Sequence, residues 1–329
     1  MKKALVIGID DYGDSSLSGC VADAQEIARL LEAHADGSPN YQARLVTAPK
    51  DRVKRDELRG LLADLFVNAR DNELLFYFSG HGAETPFGAE LVTQDFSENS
   101  PGVSVNDVLT LANDSPAQEV VVILDCCFSG DVGNVAGLQP TGVASEFRFA
   151  RALLREGVTL LAASRPTELS VEEKGHGAFT RLLIEGLEGA AADPVGIVTP
   201  LSLYAFASRA FGAWEQRPLF KAHSTKPSIL RVCKPAIAPD LLRQLPIHFP
   251  NRDAKVPMSP EHEGNRPVPA GQQPTEQQRQ FDYFKELRNA GLLTTVDSKD
   301  LYFVAMESGH VSLTPIGKYF WDLASQKRL

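Results

Sequence analysis

The sequence predicts an α/β fold, with a mostly parallel central sheet, helices on both faces, and a small α+β module after it. Short apolar runs rich in β-branched and aromatic residues recur along the first two thirds of the chain, as in buried strands. Amphipathic segments separate these runs, and such alternation favours parallel strands covered by helices. A proline-rich stretch near residue 250 then sets the last part of the chain apart.

The predicted elements follow in chain order. The buried strands are Lys3–Ile9, Ala43–Ala48, Leu74–Phe78, Val120–Leu124 and Val158–Ser164. The helices between them are Val21–Ala33, Val53–Ala69 with Asp51 as N-cap, and Val105–Ala112 behind Ser104. Two later helices are predicted in "AFTRLLIEGLEG" and "LSLYAFASRAFGAW", and a last edge strand in "KPSILRV". These elements predict one domain over residues 1–232.

The rest of the chain is predicted to be a linker and a small module. Residues 233–275 contain nine of the 21 prolines and almost no hydrophobic periodicity, which predicts an extended or loosely packed linker. Residues 276–329 are predicted to contain a helix ending before Gly291, a strand at "LYFVAM", and a strand running into a helix at "VSLTPIGKYFWDLASQ". That order resembles a winged-helix module.

Composition limits the partners and the compartment. The net charge of −9 argues against a general affinity for nucleic acid and makes cationic peptides easier partners. No apolar run approaches the roughly 18 residues of a membrane span, and the first one is shorter than a secretory signal needs. Four cysteines in 329 residues make no disulfide framework, and no CxxC pair suggests zinc. We therefore expect a soluble, cytoplasmic protein that binds neither nucleic acid nor membrane.

One stretch, "FYFSGHG" at residues 76–82, places a histidine just past the end of a predicted strand. Functional sites of parallel sheets form at that edge, and the glycines flanking His81 allow the backbone to approach a ligand closely. The alternative is a structural histidine at a tight turn. This stretch alone does not distinguish between these two interpretations of His81.

A second stretch, "VVVILDCCFSG" at residues 120–130, brings two cysteines to the end of another predicted strand. A thiol becomes a nucleophile when a neighbouring imidazole helps to remove its proton, although a lone cysteine is often only a small buried hydrophobe. Side chains alternate along extended backbone, so Asp125 and Cys127 should share one side while Cys126 points to the other. The same alternation pairs Ser79 with His81.

Together with "LSGCVADA" near the start, these two motifs resemble the caspase and metacaspase branch of the caspase-haemoglobinase peptidases (peptidase family C14), in its prokaryotic form. The resemblance covers about residues 3–232, and "GAFTRLLIEGL" is similar to the small-subunit portion of that fold. It implies a caspase-haemoglobinase fold with a large-subunit part at about 1–147 and a small-subunit part at about 152–232. It also implies a cysteine endopeptidase that needs no cofactor.

The resemblance implies roles for residues at both motifs. The metacaspase pattern Asp-x-Cys-x-Ser-Gly begins at Asp125, which makes Cys127 the nucleophile and His81 its catalytic partner. The backbone N–H groups of Gly82 and Cys127 would form the oxyanion hole. Metacaspases usually have histidine after the catalytic cysteine, and the Phe128 found here is interpreted as a subfamily difference in loop packing.

The resemblance also places four residues in the S1 pocket: Cys20, Asp23, Ser79 and Asp125. Two carboxylates in one pocket favour a cation, and arginine above lysine because a planar guanidinium can be held at two points. The Gln-Ala-Cys-x-Gly motif of the Asp-specific animal caspases is absent. We therefore predict cleavage after Arg, with Lys weaker. Asp23 could instead be only an acid favoured by a helix N-terminus.

The segment 131–157 corresponds in this family to the linker between the subunits, which is often cut during activation. An arginine-specific enzyme could cut itself there, at Arg148, Arg151 or Arg155, and the first two are preferred because a helix is expected to start after them. We predict a zymogen activated in this way. The alternative is a flexible surface loop that happens to contain arginines.

No metal is expected, because the acids near the site show no calcium-loop pattern; they are Asp95, Glu98, Asp107 and Asp131.

The C-terminal module has seven basic and seven acidic residues and so lacks the basic surface of a nucleic-acid reader. We expect it to bind a regulatory protein or an upstream activating protease, with DNA binding as the alternative. The chain is expected to be monomeric and to act in bacterial cell death or antiviral defence. The competing function is a catalytically silent scaffold that recruits partners through this module.

Overall fold

The computed structural model describes residues 2–69, 73–97, 100–126, 153–163, 177–210, 218–226, 228–263, 273–295 and 299–329. They form two compact units. The first unit comprises Met1–Ala192 with Ile197–Lys234, and the second comprises Asp193–Gly196 with Pro235–Leu329.

The elements of the first unit largely alternate between strand and helix, but β4, β5 and β6 follow β3 directly, and no described helix separates β7 from β8 or β10 from β11. In chain order they are β1 (Lys2–Ile9), α1 (Cys20–Glu32), β2 (Tyr41–Ala48), α2 (Arg55–Val67), β3 (Glu73–Ser79), β4 (Gly82–Thr85), β5 (Gly88–Ser97), β6 (Ser100–Ser104), α3 (Val105–Asp114), β7 (Glu119–Asp125), β8 (Val158–Ala162), α4 (Ala178–Glu185), β9 (Ile197–Val198), α5 (Pro200–Ala210), β10 (Leu219–His223) and β11 (Arg231–Val232). A π-helical stretch, Gly186–Ala190, continues α4.

The central sheet has the strand order β10-β8-β7-β3-β1-β2 among the described residues. All neighbours are parallel except β10, which runs antiparallel to β8. The five predicted strands form this sheet and are confirmed. Because parallel strands end at one edge, the ends of β1, β3 and β7 bring the predicted site residues to the same edge.

Helices cover both faces of the sheet, as predicted, because successive side chains of a strand point to opposite faces. In β1, Ile7 packs into one core and Val6 into the other. Ile27 of α1 joins the core of Val6, whereas Leu58 of α2 and Val108 of α3 join the core of Ile7. The first unit is therefore a three-layer α/β domain.

One predicted helix start is wrong. Lys54, not Asp51, is the N-cap residue of α2, and the Asp51 carboxylate instead accepts a hydrogen bond of 3.0 Å from the Thr47 N–H. By contrast, Ser104 caps α3 as predicted, because its side chain accepts from the Asn106 N–H. Asp51 thus stabilises the turn after β2 rather than the helix that follows.

The last edge strand is also placed differently from the prediction. Within "KPSILRV", Arg231–Val232 pairs with Ile197–Val198 in a separate two-stranded sheet. One edge strand of the central sheet is β10, whose side chains are half-buried or exposed and therefore give a weak apolar signal. The antiparallel sheet β4-β5-β6 was not predicted, although the "TPFG" turn between two of its strands is a hairpin signal.

The second unit has its own elements and core. Its elements are α6 (Pro239–Arg243), α7 (Leu245–His248), β12 (Val256–Pro257), α8 (Glu276–Asn289), β13 (Leu293–Thr295), α9 (Leu301–Met306), β14 (His310–Leu313) and α10 (Pro315–Ser325). The three strands form an antiparallel sheet in the order β12-β14-β13.

The predicted linker at residues 233–275 is wrong for much of its described part. Leu242, Leu245 and Phe249 are fully buried in the same core as Phe284 of α8. Proline stands in the first turn of both α6 and α7, where a missing N–H breaks no helical hydrogen bond. The prolines here mark helix starts, and the packed unit begins near Pro235 rather than at residue 276.

The predicted strand "LYFVAM" is wrong as well. Leu301–Met306 is the helix α9, and Asp300 caps it by accepting a hydrogen bond from the Tyr302 N–H. The helix ending before Gly291 and the final strand running into a helix are confirmed. The winged-helix resemblance stays a prediction.

Of the helices that the structure describes, none is long and apolar enough to cross a membrane.

Candidate active site

His81 follows the last residues of β3 and is fixed by a backbone carbonyl. Its Nε2 lies 2.7 Å from the carbonyl oxygen of Ser15. Because a carbonyl only accepts, Nε2 carries the proton and Nδ1 carries the lone pair. Burial lowers the pKa of His81, which favours the neutral imidazole. The ring can therefore take a proton at Nδ1, as activation of a thiol requires.

Tyr12, which the sequence did not single out, holds the backbone of His81. Its hydroxyl accepts from the His81 N–H at 3.1 Å and donates to the Val92 carbonyl oxygen at 3.2 Å. The two rings lie 4.7 Å apart, centroid to centroid. Burial raises the pKa of Tyr12, so the hydroxyl keeps the proton that it donates. An aromatic residue in the acidic, glycine-containing loop after β1 was the signal that could have found it.

The Gly80→Ala substitution is expected to disturb this arrangement, because an added Cβ would lie 2.4 Å from the Tyr12 hydroxyl oxygen. We expect destabilisation by about 1–3 kcal/mol from overpacking and, if the protein is a peptidase, at least about tenfold lower kcat/KM from displacement of His81. Thermal unfolding and peptide turnover measure both effects.

Gly60→Ala is the matched control, since nothing lies within 4 Å of a Cβ on Gly60 in the helix α2. Alanine there should stabilise the protein by up to about 1 kcal/mol and leave turnover unchanged. Wild-type stability and activity in Gly80→Ala would contradict the role assigned to Tyr12.

Two carboxylates meet at the start of α4, next to Gly177. Asp23 lies in the first turn of α1 and is only 1% exposed, and Asp125 ends β7. A Cβ built on Gly177 would stand 3.0 Å from Asp125 Oδ2 and 3.4 Å from Asp23 Oδ2. Both Oδ2 atoms therefore lie close to the same point, and a side chain at position 177 would crowd them.

The start of α4 supplies hydrogen bonds to both acids. The Gly177 N–H donates to Asp23 Oδ2 at 3.2 Å, and the Thr180 hydroxyl donates to Asp125 Oδ2 at 2.5 Å. Burial raises the pKa of Asp125, while its hydrogen bonds to Thr180 lower it. Neither Gly177 nor Thr180 was predicted as a site residue, since nothing local in the sequence links them to acids so distant along the chain.

Cys20 and Ser79 complete the group predicted for the S1 pocket. Ser79 is buried beside Asp125 in the strand register, and its side chain is hydrogen-bonded to Cys20. Burial raises the pKa of the Cys20 thiol strongly, and the nearby Asp125, Asp10 and Asp23 carboxylates raise it further. Cys20 is therefore a neutral thiol rather than a second nucleophile. The structure brings the four residues together, and their role in S1 stays a prediction.

Asp10, also missed by the sequence analysis, fixes the helix that carries Cys20 and Asp23. Its Oδ1 accepts from the Cys20 N–H at 2.8 Å, at a helix start whose N-cap residue, Gly19, has no side chain to do so. A Cβ on Gly8 would come within 2.3 Å of the Cys20 carbonyl oxygen. Strand β1 therefore packs directly against the start of α1 and sets the position of the pocket residues.

A comparison with protein families decides the affiliation. The family model described as "Caspase domain", of peptidase family C14, matches residues 1–229. This chain belongs to the caspase-domain family. The family resemblance and the α/β fold class that the sequence predicts are confirmed for this part of the chain.

Two curated relatives of this caspase domain are similar over part of their length. Metacaspase-1A of Aspergillus oryzae is 26% identical over 167 residues, which are 46% of this chain and 40% of that protein. Metacaspase-1 of Cryptococcus neoformans var. neoformans is 36% identical over 90 residues, 26% of this chain and 20% of that protein. The matches thus span less than half the length of either relative.

One solved structure, of a Geobacter sulfurreducens protein, is 18% identical to this chain with a TM-score of 0.49. The superposition covers 71% of this chain and 100% of that chain.

The nucleophile predicted for this caspase domain, Cys127, lies outside the described residues, as do Arg148 and Arg151. Its neighbour Cys126 is 2% exposed and belongs to the hydrophobic core, as the alternation of side chains predicted. Gly82 is buried and begins β4, directly after His81. The oxyanion hole at Gly82 and Cys127 stays a prediction.

Arg155, the third predicted cleavage site, is tied into the structure. Its guanidinium donates to the carbonyl oxygens of Asn113, Ser115 and Ala117, and its backbone N–H donates to the Asn113 side chain. A peptidase needs an extended, accessible segment, so these bonds make Arg155 a poor cleavage site in this state.

Of the acidic residues considered as calcium ligands, those that the structure describes make contacts with other side chains and backbone groups. Asp95 Oδ1 accepts from the Thr93 hydroxyl and the Arg55 N–H, and Asp107 lies 3.9 Å from the Arg59 guanidinium. Glu98 and Asp131 lie outside the described residues. Within the described ranges, no three His, Cys, Asp or Glu side chains are grouped to hold a metal.

Proposed function

We propose that this chain is a cysteine endopeptidase that cleaves proteins after basic residues, with Arg preferred over Lys. The observation that carries the proposal is the pair of carboxylates, Asp23 and Asp125, whose Oδ2 atoms both lie within 3.4 Å of one point beside Gly177. Membership of the caspase-domain family supports the peptidase class. Two acids in one pocket support a cationic P1 side chain, because carboxylates form charge-assisted hydrogen bonds with a guanidinium or an ammonium group.

Arginine fits this arrangement better than lysine. The two acids belong to different elements, α1 and β7, and approach the same space from both. A guanidinium presents five donors in a planar fork and can bond both carboxylates at once, whereas an ammonium is a single point charge. We therefore expect Lys substrates to be cleaved more slowly than Arg substrates.

The proposed reaction is acyl transfer through a thioester. His81 takes the proton of the Cys127 thiol, and the thiolate sulfur attacks the carbonyl carbon of the P1 residue. The N–H groups of Gly82 and Cys127 stabilise the oxyanion, the C–N bond breaks, and His81 gives the proton to the leaving amine. Water, deprotonated by His81, then hydrolyses the thioester and restores the thiol.

Peptides that differ only at P1 test this function. Release of a fluorescent dye is measured from matched substrates with Arg, Lys, Asp or citrulline at P1, under reducing conditions, with and without calcium and after trial proteolysis. We expect turnover for Arg, less for Lys and little for Asp or citrulline. No turnover of any substrate would overturn the proposal and favour the catalytically silent scaffold, which would recruit partners through the second unit.

We further propose that the enzyme is a zymogen, activated by cleavage within residues 131–157 at Arg148 or Arg151. The hydrogen bonds that hold Arg155 support the choice of the other two arginines. Intact-mass measurement during turnover, beside the Cys127→Ala protein, tests this step. A wild-type chain that stays intact while it turns over substrate would contradict activation by self-cleavage.

The cellular setting is proposed from the family resemblance alone. We place the enzyme in the cytoplasm, as a monomer, within a bacterial cell-death or antiviral defence response. The second unit, with its separate core, would receive an upstream activating protease or a regulatory protein. Sedimentation of the purified chain tests the monomer.

A further inference from the structure

A fully buried threonine connects two strands of the central sheet inside the acidic pocket. The Thr180 hydroxyl lies 2.6 Å from the Tyr77 hydroxyl and 2.5 Å from Asp125 Oδ2. An ionised carboxylate only accepts, so Thr180 donates to Asp125 and Tyr77 donates to Thr180. The three side chains thus form one directed chain of hydrogen bonds that ends on the acid.

We infer that Thr180, oriented by Tyr77, is a positioning residue that holds the Asp125 carboxylate for a cationic P1 side chain. The inference rests on the proposed function and deepens it, because it assigns part of the P1 specificity to the small-subunit helix α4. With Oδ2 bonded to the Thr180 hydroxyl of α4, the carboxylate cannot rotate freely, and its orientation is fixed before a substrate cation binds.

The hydrogen bonds from Tyr77 through Thr180 to Asp125 also favour the charged form of Asp125. Burial raises the pKa of this acid, and the hydroxyl and backbone N–H of Thr180 lower it. Among the residues that the structure describes, the titratable groups that interact with the acid include Cys20 and Asp23 from α1 and Tyr77 from β3, and none of these three is a cation at neutral pH. If the Thr180 hydroxyl is removed, the pKa of Asp125 should rise further. On acidification, Asp125 would then become protonated at a higher pH than in the parent protein. A bound cation would lose its charged partner at that pH.

Substitutions at Thr180 can separate this role from packing. Thr180→Val keeps the shape of the side chain and the backbone N–H but removes the hydroxyl, so Tyr77 loses its acceptor. Thr180→Ser restores the hydroxyl and loses only a methyl group. Tyr77→Phe removes the first donor of the chain and should have a smaller effect in the same direction.

Binding of agmatine, a small guanidinium compound, measures the affinity of the pocket for a cation and requires no turnover. Calorimetry between pH 5 and pH 8 is done on the full chain with Cys127→Ala, and ¹³C NMR follows the titration of the Asp125 carboxyl. We expect Thr180→Val to weaken agmatine binding about tenfold near pH 6 and to raise the pKa of Asp125 by about one unit. Thr180→Ser should stay within about threefold of the parent. In the active enzyme, Thr180→Val should raise KM for the Arg peptide more than it lowers kcat.

Two results would overturn the inference. One is an unchanged Asp125 titration and unchanged agmatine binding in Thr180→Val. The other is an equal loss in the Val and Ser variants, which would mean that Thr180 acts through packing. A parent protein that neither binds agmatine nor cleaves Arg peptides would instead overturn the proposed function. Even then, the Asp125 titration would decide whether Thr180 controls the ionisation of this acid.

Discussion

Cys127→Ala should lower kcat/KM for an Arg-linked peptide by about 10⁴-fold or more, because loss of a nucleophile removes the covalent route altogether. Cys126→Ala, its matched control, should keep activity within about threefold, since the Cys126 side chain is 2% exposed and packs in the core. Peptide turnover by both variants, with equal thermal stability as a requirement, measures the contrast.

Alkylation gives a second measurement that does not depend on substrate choice. Iodoacetamide at neutral pH should modify Cys127, because a thiol activated by an imidazole has thiolate character. Cys20 should stay unmodified, since burial and three carboxylates raise the pKa of its thiol. Mass mapping that finds the label on Cys126 or Cys20, or full activity in Cys127→Ala, would contradict the assigned nucleophile.

Asp125→Asn should lower kcat/KM for Arg substrates by roughly a hundredfold, mainly through KM. The amide keeps the shape of the side chain and an acceptor for Thr180, but it loses the charge that is proposed to face the P1 cation. Removal of one partner from a buried charge pair typically costs about 2–5 kcal/mol. Comparison of Arg and citrulline at P1 isolates the charge, because citrulline has nearly the same shape and is neutral.

The preference for Arg over citrulline should therefore collapse in Asp125→Asn, while citrulline turnover stays close to its wild-type value. Asp114→Asn, at the exposed end of α3, is the control and should change neither substrate. An equal loss for Arg and citrulline would show that Asp125 supports the structure rather than P1 selection. Asp23→Asn should behave like Asp125→Asn, and the double variant tests whether the two acids act together.

The central sheet could be predicted because its signal is local. In β1, β3 and β7 nearly every residue is buried, so the apolar runs themselves define the strands. Part of the second unit was mispredicted because its structure depends on contacts between segments that are distant along the chain. Its segment around Leu242 and Leu245 is short and rich in proline, and packing against α8 and α10 in a shared core stabilises its two short helices.

The candidate site shows the same division. Three site residues lie at or just past the end of a strand: His81, Asp125 and Cys126. Because side chains alternate along a strand, the sequence could indicate the sheet edge at which these residues lie and the side of the backbone to which each points. Tyr12 and Thr180 could not be inferred in this way. Their hydrogen bonds join residues that are 69 and 55 positions apart, and no periodic pattern encodes such contacts.

The sequence by itself determined the parallel sheet, the family and the residue types offered for catalysis, because strand burial and short motifs are properties of consecutive residues. Only the tertiary structure decided how the pocket acids are held. Gly177 donates to Asp23 across 154 positions, and Thr180 donates to Asp125 from the same helix start. The physical reason is that a buried carboxylate must find donors in space, and the packing of α4 against the ends of α1 and β7 supplies them.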